Sequence, residues 1–309
     1  MLNSILLKMR EKIVLILFVV LVIPEGVFAQ GCSDAGFCTV STINPSSNLD
    51  TINQEKSYFK TGLTVGSSQY NVTAINPYLE YDFSIHKKVI LSTKGVYSIR
   101  TGPVVTTNSL SDLFFSLNYR ISTHFSTVVA VKVPLNKADF SEHNRDLPMS
   151  YQTSLGTTDF IYGISFSRNN FFASLGTQIP LTQNSNQFLI EEYVGELNLN
   201  YLSTNNFKRQ PDVLLRLNYQ SKWNNNLKLI YGILPIFHIA NDKYTNSLNE
   251  RKEIRNSKGL TLNLNSILQY QLNQKNVVEF SVGIPIISRK SRPDGLPQFA
   301  VGIQYGIKF

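Results

Sequence analysis

Phe299-Ala300-Val301-Gly302-Ile303-Gln304-Tyr305-Gly306-Ile307-Lys308-Phe309 sets large apolar side chains at every odd position, against small or polar ones at every even position. A period of two means an extended strand whose faces meet different surroundings. Leu113, Phe115, Leu117, Tyr119 and Ile121 repeat the pattern against Asp112, Ser116, Asn118 and Arg120. Leu260, Leu262, Leu264, Leu268 and Tyr270 do so against Thr261, Asn263, Asn265, Gln269 and Gln271.

Working outward, the same rhythm predicts strands over 57–70, 72–86, 89–100, 112–122, 125–135, 155–168, 171–182, 211–222, 227–240, 258–273, 276–289 and 297–309. Their connections alternate in length. Tight turns fall at Ile85-His86-Lys87-Lys88, Ser122-Thr123-His124, Arg168-Asn169-Asn170, Trp223-Asn224-Asn225-Asn226 and Asn273-Gln274-Lys275-Asn276. Long polar loops, 136–154, 183–210 and 241–257, and shorter connections at 101–111 and 290–296 lie at the other end. Even strand numbers, short periplasmic turns and long outward loops are the signature of outer-membrane barrels. A soluble sandwich also alternates, but these strands run ten residues or more, against about five or six in globular sheets. The fold class is therefore all-β: a transmembrane, antiparallel, up-and-down barrel of twelve strands over 57–309, in the outer membrane of a Gram-negative cell. Phe188 to Tyr201 also alternates, so fourteen strands are an alternative.

Residues 1–29 read as a cleaved secretory signal: Lys8, Arg10 and Lys12, an apolar run from Ile13 to Ile23, and the small residues Val27 and Ala29 before the cut. That run spans about 16 Å as a helix, too short for a hydrocarbon core of roughly 30 Å. Lipidation at Cys32 is a rival that Gln30 disfavours, because a small apolar residue belongs there. Cleavage removes three basic and two acidic residues, taking the net charge from +8 to +7. With no basic helix or aromatic-basic repeat, nucleic-acid binding is not expected. The only cysteines, Cys32 and Cys38, meet an oxidising compartment, and a small disulfide loop is expected within the segment 30–56. That segment either stays periplasmic or folds into the pore. No metal or organic cofactor is expected.

By parity the inward face gathers Glu80, Asp82, Lys94, Arg100, Asp112, Arg120, Lys132, Asp212, Arg216, Glu279 and Lys308. Eight-stranded barrels are filled by side chains and larger ones leave room, so these charges either line a permeation path or pair across the interior to stabilise it. If they line a path, neutralising Arg120 and Arg216 together shifts ion selectivity toward cations. Prolines occur in Val133-Pro134-Leu135, Ile179-Pro180-Leu181, Leu234-Pro235-Ile236 and Ile284-Pro285-Ile286, where they mark the outer rim or, alternatively, a kinked wall.

Residues 102–181 carry Ser109-Leu110-Ser111-Asp112-Leu113-Phe114-Phe115, Leu117-Asn118-Tyr119-Arg120, Val133-Pro134-Leu135, Ser154-Leu155-Gly156-Thr157-Thr158-Asp159 and Gln178-Ile179-Pro180-Leu181. This order resembles the outer-membrane transporter-like barrels of the phenol meta-pathway type, and more distantly the long-chain fatty-acid channels. The resemblance implies that Asp112 and Asp159 open inward-running strands, although Ser111 stands where a glycine usually precedes the first. It also implies passive, porin-like uptake of small hydrophobic or aromatic solutes. The other expected partners are outer-membrane lipid and the barrel-insertion machinery, which would engage the last strand through Phe309.

Two other classes stay open: a structural or surface-binding barrel, and a hydrolase. Loop 241–257, with Asp242, Lys243, Glu250, Arg251, Lys252, Glu253 and Arg255, suits solvation as well as binding. An enzyme would need a histidine with a nucleophile. His86 and His124 fall in turns and His143 in a loop without a spaced partner. His238-Ile239-Ala240-Asn241-Asp242 resembles outer-membrane phospholipases but has Ala240 where they carry serine. No catalytic residue is assigned, and the chain is expected not to be an enzyme.

Overall fold

The computed structural model describes residues 57–193, 201–295 and 299–309. The signal segment, the segment 30–56 and the Cys32–Cys38 pair lie outside the described residues. Sixteen strands occur among the described residues. They are β1 (Tyr58–Ser67), β2 (Thr73–His86), β3 (Val89–Thr101), β4 (Thr106–Arg120), β5 (Phe125–Pro134), β6 (Ser141–Glu142), β7 (Arg145–Asp146) and β8 (Asp159–Arg168). The second half holds β9 (Phe171–Pro180), β10 (Asp212–Lys222), β11 (Leu227–His238), β12 (Lys243–Thr245), β13 (Arg251–Glu253), β14 (Gly259–Gln271), β15 (Asn276–Ile287) and β16 (Phe299–Lys308). Twelve of them close into one barrel, each beside its sequence neighbour; β6/β7 and β12/β13 are small hairpins in the outer loops.

The wall closes where β1 meets β16, from Tyr58↔Lys308 to Ser67↔Phe299. Closure removes the sheet edge that lipid could not satisfy. Along β16, Phe299, Val301, Ile303 and Tyr305 face outward while Gly302 and Gly306 are buried. The outward face of the other strands is apolar in the same way, with Leu79, Leu117, Ile164, Leu175 and Leu264 exposed. Exposed aromatics concentrate at the tight-turn end, among them Tyr119, Phe125, Phe171, Trp223 and Tyr270, the place where amphipathic rings sit at a bilayer interface.

Every predicted strand is present, with two shifted starts. β4 begins at Thr106 rather than 112, so most of the expected connection 101–111 is strand; its residues Thr106, Thr107, Asn108 and Ser109 are polar and pair with Thr101, Arg100, Ile99 and Ser98. Asp112 therefore does not open its strand. It sits at a bulge, where the register passes from Tyr97↔Leu110 to Gly95↔Leu113 and two residues of β4 oppose one of β3. Asp159, in contrast, is the first residue of β8. The fourteen-strand alternative does not hold, because the barrel closes with twelve strands, and Ile190–Tyr193, within the alternating stretch, is a 3-10 turn.

Pro134 and Pro180 end β5 and β9. Pro235 and Pro285 lie inside β11 and β15, near their outer ends, and Pro285 adjoins a register shift from Asn263↔Pro285 to Leu262↔Ile287. At the outer end the loops pack on one another and on the wall, where Thr107 and Ser111 of β4 donate to the carbonyls of Tyr151 and Thr153 at 2.5 and 2.6 Å. Val72, Leu147, Tyr151, Phe188, Tyr193 and Tyr201 form one buried cluster, and Ala138, Met149, Leu155, Phe207 and Ile254 another. Asn186 ties them together, its Nδ2 donating to the carbonyls of Ala138 and Leu147 at 3.0 Å each.

Candidate channel interior

Near the turn end, cross-strand registers decide which inward charges meet. Lys60 of β1 lies opposite Glu80 of β2, and Glu80 opposite Lys94 of β3. Lys60 Nζ stands 2.7 Å from both Glu80 Oε1 and Asp82 Oδ2, and Lys94 Nζ 3.4 Å from Glu80 Oε2. Lys94 also lies over the Tyr78 ring, 3.7 Å from its centroid. The Tyr78 hydroxyl donates to Gln304 Oε1 at 2.8 Å, and Gln304 Nε2 and Gln269 Nε2 donate to the Glu279 carboxylate at 3.2 and 3.0 Å. One network thus crosses β1, β2, β3, β14, β15 and β16. Each ion has a partner of opposite charge or an amide donor, as burial requires, and of the network's buried polar atoms only Asp82 Oδ1 lacks a hydrogen bond among the described residues.

At the outer end, Lys132 of β5 faces Asp159 of β8 across the ladder, Nζ to Oδ2 at 3.0 Å. Thr157 donates to Asp159 Oδ1 at 2.6 Å, and Gln178 donates to Oδ2. At the β4 bulge, Asp112 accepts from Ser111 at 2.8 Å and Ser154 at 2.7 Å, joining the wall to the loop 135–158.

His238, the last residue of β11, is held between two carboxylates: Nδ1 is 2.6 Å from Asp212 Oδ1, and Nε2 is 2.8 Å from Asp242 Oδ1. Arg209 bridges to Asp212 at 2.5 Å, Arg289 stands 3.7 Å from Asp242 and pairs with Asp294, and Arg292 is 3.9 Å from Asp294. Burial opposes the charge of Asp294, but Arg289, Arg292 and Arg209 outweigh it and hold this loop carboxyl well below the usual carboxylate range. This cluster fastens three outer loops to the barrel mouth.

Between the two clusters the interior is two-sided. Val128, Ala130, Ile161, Leu214, Leu234 and Ile236 form a buried apolar patch on β5, β8, β10 and β11, on the side away from the Lys60–Glu80 network. Polar side chains adjoin it: Asn118 Oδ1, Gln220 Oε1 and both amide ends of Asn218, Asn263 and Asn265 have no hydrogen-bond partner among the described residues. Such groups are costly unless water or a solute meets them.

Of the residues expected inside, Glu80, Asp82, Lys94, Arg100, Lys132, Asp212, Arg216 and Glu279 are buried, while Asp112, Arg120 and Lys308 are half-buried. The structure gathers Glu80, Asp82, Lys94 and Glu279 at one end and Asp112, Lys132 and Asp212 at the other. Arg120 and Lys308 stand apart at the turn rim. Sequence reasoning missed Lys60, although its parity with Tyr58 would have found it. It also missed the Arg209–Asp294 loop cluster, which carries no periodic signal, and the inward apolar patch. Among the described residues, no group of three or more His, Cys, Asp or Glu is arranged to hold a metal ion.

No family model and no curated protein matches the sequence. The fold is similar to that of an outer-membrane channel from Pseudomonas putida F1, with a TM-score of 0.57, 11% identity, and coverage of 82% of this chain and 95% of that one. The KdgM porin follows with a TM-score of 0.42, 8% identity and coverage of 82% and 99%. A toluene transporter of Ralstonia pickettii has a TM-score of 0.40, 10% identity and coverage of 86% and 94%. At these identities only the first likeness bears on the architecture. It agrees with the closed twelve-stranded barrel, the class that wall and interior define here.

Proposed function

We propose that this chain is an outer-membrane channel through which small hydrophobic or aromatic solutes diffuse passively. In this reading residues 1–29 direct export, the strand ending in Phe309 engages the insertion machinery, and the buried charges at both ends line the path. The supporting observation is the two-sided interior. The apolar patch around Leu214 and Leu234 packs the middle of the bore, so an apolar solute passes where these side chains part, and the unpartnered amides of Asn218, Asn263 and Asn265 beside it are the polar groups that solute or water then meets. The likeness to a solved channel and the resemblance over residues 102–181, of whose two aspartates Asp159 opens its strand, support the same reading.

A hydrolase would need one imidazole nitrogen aimed at a nucleophile. Both nitrogens of His238 are instead committed to carboxylates, so this histidine serves as an anchor. The test is current through a planar bilayer holding the purified protein, with and without a small aromatic solute. Steady current that the solute reduces is the expected result. Absence of current, together with no uptake of the solute into protein-bearing vesicles, would overturn the proposal.

A further inference from the structure

Among the described residues, the charged side chains of the tight turns are all basic. Backbone hydrogen bonds link successive turns into a ring: Arg120 N to Lys88 O at 2.8 Å, Ser167 N to His124 O at 2.8 Å, Gln220 N to Asn170 O at 2.8 Å, Gln271 N to Asn226 O at 2.7 Å, Lys308 N to Lys275 O at 2.9 Å and Phe309 N to Ser57 O at 3.0 Å. Each sector of this ring carries positive charge, from Lys87 and Lys88 through Arg168 and Lys222 to Lys275. Among the described residues, 84–90, 120–127, 166–172, 220–229 and 271–277 contain no Asp or Glu. The negative groups nearest in the wall, Asp82 and Glu279, are buried and already engaged. The opposite end mixes signs, as in the exposed pair Lys252–Glu250. The asymmetry therefore belongs to one end of the barrel, directly beyond the aromatic girdle.

We propose that this basic collar recruits anionic phospholipid headgroups from the leaflet that the tight turns face. The reading rests on the membrane placement proposed above and adds a lipid class to it. Exposed lysines just beyond a hydrophobic belt meet phosphate at headgroup depth, and several spread round a ring attract anionic lipid without requiring a shaped pocket. Trp223 is the only tryptophan of the chain and lies half-exposed in the collar, next to Lys222. It is a built-in reporter of the lipid beside it.

The experiment reconstitutes the full-length folded barrel in phosphatidylcholine vesicles containing equal fractions of either brominated phosphatidylglycerol or brominated phosphatidylcholine, and reads Trp223 fluorescence. Brominated phosphatidylglycerol should quench at least about twofold more strongly. The preference should collapse at about 1 M salt, where the screening length falls to about 3 Å. The variant K87Q/K88Q/K222Q/K275Q should lose the preference while keeping the folded, heat-modifiable band and its quenching by brominated phosphatidylcholine. Equal quenching by the two lipids in the native chain would overturn the collar and leave the membrane placement standing. No quenching by either would overturn both.

Discussion

Tyr78 of β2 reaches across β1 to Gln304 of β16, hydroxyl to Oε1 at 2.8 Å, and it passes directly over Gly62. A Cβ on Gly62 would lie 2.5 Å from the Tyr78 hydroxyl and 2.8 Å from the Ile303 carbonyl oxygen. The missing side chain is what lets one tyrosine span three strands beside the closing seam.

Gly62→Ala is accordingly predicted to destabilise the barrel by about 1–3 kcal/mol through overpacking. The measurement is the temperature at which the folded electrophoretic band converts to the unfolded one. Combining it with Tyr78→Ala should cost less than the two single changes added together, because the clash is shared. Strict additivity would show that Tyr78 does not occupy the space over Gly62.

His238→Ala is predicted to leave Asp212 and Asp242 facing each other without the imidazole between them. Breaking a buried ion pair in this way costs about 3–5 kcal/mol. The loss should appear first in the outer loops, as faster proteolytic cleavage within 239–258, while the wall persists as a folded band. Unchanged cleavage would remove His238 from its role as the anchor.

Asp294 makes a pH prediction whose sign follows from its lowered pKa. A carboxyl held below its unfolded value of about 3.9 contributes stability that is fully present above that pH. The contribution declines as pH falls toward the lowered folded value and is gone below it. Loop cleavage should therefore stay slow at pH 5 to 7, conditions in which all of the contribution remains, and accelerate only in stronger acid. Asp294→Asn should cleave faster near neutrality and lose that acid dependence.

Replacing Leu214 and Leu234 together by Asn should weaken the block of current by a small aromatic solute by roughly tenfold, about the worth of one or two buried methylenes, while salt conductance is retained. Replacing Arg100 and Arg216 by Gln should shift ion selectivity toward cations, read as reversal potential under a salt gradient. Arg120, at the turn rim, should contribute less to that shift than its inward parity suggested.

The strands were legible because lipid outside and polar groups inside impose a period of two that the chain states repeatedly. The irregular parts were not. The start of β4 is written in Thr106, Thr107, Asn108 and Ser109, which carry no apolar alternation, and the bulge at Asp112 changes which side of the chain faces inward. The inward patch escaped notice because Leu214 sits among Asp212, Arg216 and Asn218 on a face read for its charges alone. Arg209, Asp242, Arg289 and Asp294 come from loops, where only tertiary packing decides which side chains meet.

The seam between β1 and β16 has a kinetic consequence. Its partners stand at opposite ends of the described chain, so pairing Tyr58 with Lys308 closes the largest loop this topology contains and should be among the slowest and latest events of folding. Until that moment the nascent sheet carries two unprotected flanks of amide and carbonyl groups, and whatever shelters them governs the yield of finished barrels.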